Sequence, residues 1–151
     1  MKKKIEFISR DQMKRLIDKD LHHEKNLAII SINDTSYEYD EMYRLLDDSN
    51  FTIVAFQDSD DQTGITDLQA KLLLSFIERN NNKNFLVHCF AGVSRSGAVA
   101  KFINEFYECG NFYLEDYKGY NRRVFNKLRA AAGIDLASYY EELEKQDRMM
   151  K

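Results

Sequence analysis

The sequence predicts an α/β fold in which a mostly parallel central sheet of four to five strands is flanked by helices. Short continuous apolar runs, such as LAIISI at 27–32 and FTIVAF at 51–56, have the length and composition of buried parallel strands. Helical patterns separate these runs, and strands that alternate with helices form parallel sheets covered on both faces. The C-terminal third of the chain is predicted to be helical.

The individual elements follow from apolar spacing and capping signals. Strands are predicted at 4–8, 27–32, 51–56 and 85–88, and a short helix at about 40–46. Ser9 with Gln12 and Thr66 with Gln69 have capping-box spacing, which predicts helices from Ser9 to about residue 22 and from Thr66 to Arg79. The apolar face of the second helix is predicted to be Leu68, Leu72, Leu73, Phe76 and Ile77. Further helices are predicted at 98–107, 116–131 and 135–149, and packing roles are assigned to the tyrosines at 113, 117, 120, 139 and 140.

The composition fits one domain that spans residues 1–151. Its 44% hydrophobic residues supply a core, and 13% aromatic residues exclude a disordered chain. The net charge of -3 argues against a nucleic-acid partner, and no apolar run approaches the roughly 20 residues of a membrane span. Two cysteines cannot form a disulfide framework, and no secretory signal is recognisable. We expect a cytoplasmic monomer, or one in the host cytosol if the protein is viral.

Chemistry-bearing residues cluster where the 85–88 strand meets the next helix. There the chain runs Cys89-Phe-Ala-Gly-Val-Ser-Arg95-Ser96. A turn between a strand and a helix N-terminus aims backbone N–H groups at one point and favours anions there, including a thiolate at Cys89. Gly92 allows the tight turn, Arg95 is placed to grip two anionic oxygens, and Ser96 is placed to donate a hydrogen bond to the sulfur. The pattern predicts a cysteine nucleophile at an anion site.

The segment HCFAGVSRSG resembles the Cys-x5-Arg phosphate-binding loop of the cysteine-dependent protein tyrosine phosphatase superfamily, and looks most like its dual-specificity branch. The resemblance covers roughly residues 26–130, and 120–128 (YNRRVFNKL) is similar to that branch's Asn-x-x-x-Phe-x-x-Leu segment. It implies a phosphatase-like fold and a two-step reaction through a phosphocysteine, without metal or other cofactor. It also implies a phosphorylated protein substrate, whose phosphate is held by the loop residues Phe90, Ala91, Gly92, Val93, Ser94 and Arg95.

The resemblance also implies a general acid, an Asp on a loop some thirty residues before the cysteine. Asp58 lies 31 residues upstream of Cys89, directly after the 51–56 strand, and is predicted to fill that role. Asp60 and Asp61 compete for it, whereas Asp67 is explained as a helix N-terminal charge. His88 is not expected to be the base for Cys89, because adjacent strand residues point to opposite faces.

The leading function is therefore hydrolysis of phosphotyrosine in proteins. With only 88 residues before Cys89, a compact domain implies a shallow pocket that would also admit phosphoserine and phosphothreonine. The loop positions Phe90, Ala91 and Val93 carry no Lys, which disfavours inositol lipids. The alternative function is a phosphate-binding module that captures phosphorylated partners without turnover. A thiol oxidoreductase is disfavoured, since only Cys109 could act as a resolving thiol.

Overall fold

The computed structural model describes residues 3–19, 26–34 and 50–133. Within them lies one sheet in which every neighbouring pair of strands is parallel, with the order β1-β4-β2-β3. Its strands are β1 (Ile5–Ser9), β2 (Leu27–Asn33), β3 (Phe51–Ala55) and β4 (Asn84–Cys89). The α/β fold class and the predicted strands are confirmed, and the described residues form a four-stranded sheet.

Helices cover both faces of this sheet. They are α1 (Arg10–Asp18), α2 (Asp67–Arg79), α3 (Arg95–Phe106), α4 (Phe112–Glu115) and α5 (Arg122–Ala131). Both predicted capping boxes are present at the starts of α1 and α2. The first helix ends at Asp18, short of the predicted residue 22, and residues 20–25 lie outside the described part. No described helix is long and apolar enough to cross a membrane.

The core is divided by the sheet into two clusters. Alternate residues of the strands, such as Ile30 and Val87, pack with α2, α3 and α5 in the larger cluster. On the opposite face, Met13 of α1 packs against Ile29 and Leu86. Because side chains alternate along β4, His88 and Cys89 point to opposite faces, as predicted.

The buried face of α2 differs from the predicted one. Leu68 and Leu72 are 66% and 61% exposed, so their assignment to the apolar face was wrong. The residues that pack inward are Ala70, Leu73, Leu74, Phe76 and Ile77. Positions 70, 73, 74 and 77 form an i, i+3, i+4, i+7 stripe. The predicted face contained only large apolar residues and therefore omitted the small Ala70, which belongs to this stripe.

The segment before α5 also departs from the prediction. Residues 116–121 are not helical, and the helix predicted over 116–131 begins only at Arg122. The reason is Asn121, whose extended backbone and side-chain oxygen, accepting from the Val124 N–H, cap the start of α5. The short helix α4 was not predicted, and α3 begins at Arg95 rather than at residue 98. The helices predicted at 40–46 and 135–149 lie outside the described residues.

The parallel register brings the carboxyl ends of all four strands to one edge of the sheet. Ser9 lies opposite Cys89, and Ser31 lies opposite His88. Chain segments that leave the strands, including Asp34 after β2 and Phe56 after β3, therefore start at the same edge of the sheet as Cys89. In open parallel sheets this edge is where ligands bind.

Candidate active site

The connection between β4 and α3, residues 90–94, is called here the Cys89 loop. Cys89 is the last residue of β4 and is only 1% exposed, while Arg95 and Ser96 begin α3. The Cys89 sulfur lies 3.1 Å from the Ser96 hydroxyl oxygen, within hydrogen-bonding distance. The predicted contact between Cys89 and Ser96 is therefore present.

The Cys89 loop is packed tightly against the junction between β1 and α1. Gly92 has a φ of +70°, a left-handed conformation that favours glycine. A Cβ atom there would lie 2.4 Å from the Ser9 nitrogen and 2.5 Å from the Ile8 carbonyl carbon. The backbone N–H of Arg10 donates to the Phe90 carbonyl at 3.1 Å. Glycine is thus required at position 92 for the loop to lie this close to its support.

Four consecutive amide groups of the Cys89 loop, those of residues 91–94, have no acceptor in the described part of the chain. Within the described part of the chain, no carbonyl or side-chain oxygen accepts from the N–H groups of Ala91, Gly92, Val93 or Ser94. Consecutive unpaired N–H groups next to a helix N-terminus form a site for an anion. The side chains of Phe90 and Val93 are 56% and 47% exposed at its edge.

Arg95 is buried, and the described residues hold it through Nη1. Its Nη1 donates to Asp34 Oδ1 at 2.7 Å and to the Phe56 carbonyl at 2.8 Å. Its Nε is buried and has no hydrogen-bond partner within the described residues. A buried unpaired donor is costly, and an anionic oxygen would satisfy it. Through its bond to Nη1, Asp34, which was not predicted from the sequence to be a site residue, orients the guanidinium group.

Asp58 contacts the Cys89 loop directly. Its Oδ1 accepts from the Ser94 hydroxyl at 2.9 Å and from Asn121 Nδ2 at 2.7 Å. The backbone N–H of Asn121 also donates to the Ser94 carbonyl at 3.0 Å, so one residue joins α5, the Asp58 segment and the loop. The carboxyl group is on an exposed residue, open to a bound molecule.

The competing carboxyl groups have other positions. Asp61 Oδ1 accepts from the Ser59 hydroxyl and from both the N–H and the hydroxyl of Thr63. The Thr63 bonds hold the pKa of Asp61 below its usual value, which suits an ion and not a proton donor. The backbone carbonyl of Asp60 accepts from Arg123 Nη1 at 3.4 Å. Asp67 lies in the first turn of α2, where its Oδ1 is 2.6 Å from Lys127 Nζ. Of the candidates, Asp58 is the one bonded to the loop, and its catalytic role stays a prediction.

A cavity of about 270 Å³ opens beside the loop. Its lining residues are polar apart from one aromatic ring, and are Asp58, Ser59, Asp60, Ser94, Tyr120, Asn121 and Arg122. It adjoins the loop on the side of Asp58.

His88 belongs to a buried polar chain on the other face of the sheet. Its Nε2 lies 2.6 Å from the Ser31 hydroxyl, which accepts from Asn33, and Asn33 in turn accepts from Arg10 Nη1 at 2.6 Å. Burial, together with the nearby charges of Arg10 and Arg95, lowers the pKa of His88 to about 4. A neutral imidazole on the far face holds the strand ends together and does not contact the Cys89 sulfur.

Three contributors to the site were missed or misassigned from the sequence. Asp34 follows a predicted buried strand, the same feature that pointed to Asp58, and could have been found that way. Asn121 was noted only as part of a motif. Tyr117 was assigned to packing, yet its hydroxyl donates to the Val93 carbonyl at 2.7 Å.

Cys109 is buried and free just beyond the C-terminal end of α3, at the opposite end of this helix from the loop. No group of three or more potential metal ligands occurs in the described ranges.

Comparisons with known proteins give only remote structural similarity. No family model and no curated protein match the chain. A crystal structure of Cydia Pomonella PTP-2 phosphatase is 19% identical, covers 93% of this chain and 83% of its own, and has a TM-score of 0.49. A crystal structure of Tk-PTP in its active form is 17% identical to this chain and has a TM-score of 0.42. The match covers 96% of this chain and 90% of Tk-PTP. The core catalytic domain of the PP-IP phosphatase SIW14 from S. cerevisiae is 16% identical and has a TM-score of 0.40. This match covers 76% of this chain and 79% of that domain. At this distance, the function of the chain has to be inferred from its own residues.

Proposed function

We propose that this protein is a cysteine-dependent phosphatase that hydrolyses phosphotyrosine in proteins, with phosphoserine and phosphothreonine as further substrates. The observation that carries the proposal is the Cys89 sulfur at the base of a loop whose amides at 91–94 have no acceptor among the described residues, beside an Arg95 whose buried Nε also has no partner there. Amides, guanidinium and helix N-terminus all favour a tetrahedral anion at that point.

In the first step the loop amides and Arg95 hold the three non-bridging oxygens of the phosphate. The Cys89 thiolate attacks phosphorus in line with the leaving oxygen, so the S–P bond forms as the P–O bond breaks. Asp58 gives its proton to the departing oxygen. Because the two hydrogen bonds of Asp58 converge on Oδ1, Oδ2 is the oxygen that carries the proton.

In the second step the Asp58 carboxylate takes a proton from water as that water attacks the phosphocysteine. The S–P bond breaks, inorganic phosphate leaves, and the thiolate accepts a hydrogen bond from the Ser96 hydroxyl 3.1 Å away. Positioning and electrostatic stabilisation supply most of the rate in phosphoryl transfer. Nucleophile, acid and positive charge all come from side chains, so the proposed reaction needs no metal and no organic cofactor.

The edge of the site supports a monophosphorylated protein as substrate. Phe90, Ala91 and Val93 bring no charge to the loop, whereas a highly phosphorylated ligand needs several cations. The neighbouring cavity is lined by Asp58, Asp60 and Arg122, so it carries both negative and positive charge. This suits a peptide segment with polar side chains of either charge.

One observation favours a second candidate, a module that binds phosphorylated partners without turnover. The Asp58 carboxyl group accepts hydrogen bonds from Ser94 and Asn121, as expected of a residue that holds the loop and α5 in place for binding. This candidate shares the loop and Arg95 with the phosphatase and differs only in the use of Asp58.

Hydrolysis of para-nitrophenyl phosphate in the presence of EDTA tests the proposal. We expect turnover by the wild type, none by Cys89→Ser, and vanadate binding by both. Vanadate binding without turnover by the wild type would favour the binding module. Absence of both from folded protein would contradict both candidates. Phosphopeptides that carry phosphotyrosine, phosphoserine or phosphothreonine in one sequence then rank the substrates by kcat/KM.

A further inference from the structure

We infer that Tyr117 is a positioning residue of the Cys89 loop, and that its hydroxyl group turns the Ser94 N–H toward the bound phosphate. The inference rests on the proposed function, since it concerns how the same loop binds an oxyanion. Nothing in the sequence marks Tyr117 for this role, because the residue stands 24 positions beyond the loop carbonyl that it contacts.

Tyr117 is locked against the loop by close contacts. Its hydroxyl donates to the Val93 carbonyl at 2.7 Å. Its ring lies over Gly97 in the first turn of α3, where a Cβ atom would come within 2.5 Å of the ring. A Cβ atom on Gly119 would lie 2.7 Å from the hydroxyl oxygen. The absence of a side chain at Gly97 and Gly119 provides the space that the Tyr117 ring and hydroxyl occupy. This close packing fixes the position of the hydroxyl beside the Val93 carbonyl.

The geometry of the peptide bond converts this contact into an orientation. A trans peptide is planar, and its C=O and the following N–H point in opposite directions. Tyr117 draws the Val93 carbonyl outward, so the Ser94 N–H faces the opposite, concave side of the loop. That N–H has no acceptor within the described part of the chain and is available to a ligand.

The same outward fastening occurs at two other peptides of the loop. The Arg10 N–H bonds the Phe90 carbonyl and the Asn121 N–H bonds the Ser94 carbonyl. By the same peptide geometry, the Ala91 and Arg95 N–H groups face inward. Among these three outer donors, only that of Tyr117 is on a side chain. It can therefore be removed by mutation without a change in the backbone.

The aromatic packing of Tyr117 does not depend on its hydroxyl. Its ring contacts Phe7 and Tyr113, with centroids 5.0 Å and 5.7 Å apart. Burial raises the pKa of Tyr117, so the hydroxyl keeps its proton and remains a donor at neutral pH. Tyr117→Phe therefore removes one hydrogen bond and leaves the ring in place. Tyr113→Phe is the matched control, since it removes a hydroxyl from the same aromatic cluster that has no hydrogen bond to any described residue.

The experiment measures vanadate affinity and kcat/KM for the wild type, Tyr117→Phe and Tyr113→Phe. Loss of a hydrogen bond that aims one of the phosphate donors is expected to weaken vanadate binding and to lower kcat/KM about fivefold in Tyr117→Phe. Tyr113→Phe should match the wild type. In ¹H–¹⁵N spectra, the shift of the Ser94 amide on addition of vanadate should be large in the wild type and in Tyr113→Phe, and reduced in Tyr117→Phe.

The outcomes separate this inference from the proposed function. If the wild type binds no vanadate, the proposed function fails and the inference fails with it. If the wild type binds vanadate and Tyr117→Phe binds it equally well, the proposed function stands and the role of Tyr117 is overturned. If Tyr117→Phe is weakened only through lower stability, the Ser94 amide of the folded fraction will still shift as in the wild type, and this also overturns the role.

Discussion

Replacement of Gly92 by alanine tests whether the tight placement of the Cys89 loop sustains the activity. The new Cβ would lie 2.4 Å from the Ser9 nitrogen, about 1 Å inside ordinary van der Waals contact. The two nearest atoms, the Ser9 nitrogen and the Ile8 carbonyl carbon, belong to the backbone of the β1–α1 junction. The loop itself therefore has to move away. The hydrogen bond from the Arg10 N–H to the Phe90 carbonyl would be stretched or lost.

The magnitude has three contributions. A left-handed alanine costs about 1 kcal/mol, the lost hydrogen bond about 1 kcal/mol, and the residual overlap a further amount of about 1 kcal/mol. The free energy of unfolding should fall by about 3 kcal/mol. A displacement of about 1 Å at a catalytic loop lowers kcat/KM by about 100-fold.

Gly110→Ala is the matched control. Gly110 also has a φ of +70°, but no atom lies within 4 Å of the Cβ position. It should lose only the conformational contribution of about 1 kcal/mol and retain full activity. Urea unfolding and para-nitrophenyl phosphate kinetics measure both quantities. If Gly92→Ala loses no more stability or activity than Gly110→Ala, the close approach of the loop to its support has no functional role.

Three further predictions concern other charged and titratable groups. Asp34→Ala should lower the free energy of unfolding by about 2 kcal/mol, because the buried Arg95 loses its partner at 2.7 Å. Asp34→Asn should recover part of this loss. Equal stability of Asp34→Ala and the wild type would contradict the pairing. Asp58→Ala should slow hydrolysis most for alkyl phosphates, which need a protonated leaving group, and Asp60→Ala should not; the reverse result would move the acid to Asp60. The folded-state pKa of His88 is depressed to about 4, so the unfolded chain binds its proton first as pH falls, and stability present above about pH 6.5 is lost toward pH 4. Urea unfolding should show a loss of about 2 kcal/mol between pH 7 and pH 5, and a His88→Gln variant with the same pH dependence would exclude His88 as its source.

Local sequence patterns were sufficient for most of the fold. The apolar runs at 27–32 and 51–56 became neighbouring strands, and both capping boxes begin helices, because these features depend on nearby residues. Leu68 and Leu72 show the limit of that reasoning. Leucine favours helix and burial alike, but the tertiary contacts of α2 select the stripe that includes Ala70.

The site was predictable where its parts are adjacent in the chain. Cys89, Arg95 and Ser96 lie within eight residues, and one strand–helix junction brings Cys89 into contact with Ser96. Asp34 and Tyr117 were missed because their contacts, with Arg95 and with the Val93 carbonyl, join positions 61 and 24 residues apart. Such partners are set by the order of the strands and by the path of the segment before α5, which local patterns do not specify.

The most direct test of the proposed mechanism is to trap the intermediate. Wild-type protein mixed with para-nitrophenyl phosphate and quenched in acid during turnover should carry one phosphoryl group, which peptide mass spectrometry should place on Cys89. Cys89→Ser treated in the same way should carry none. Turnover by the wild type with no phosphoryl group on Cys89, or with the group on another residue, would contradict Cys89 as the nucleophile.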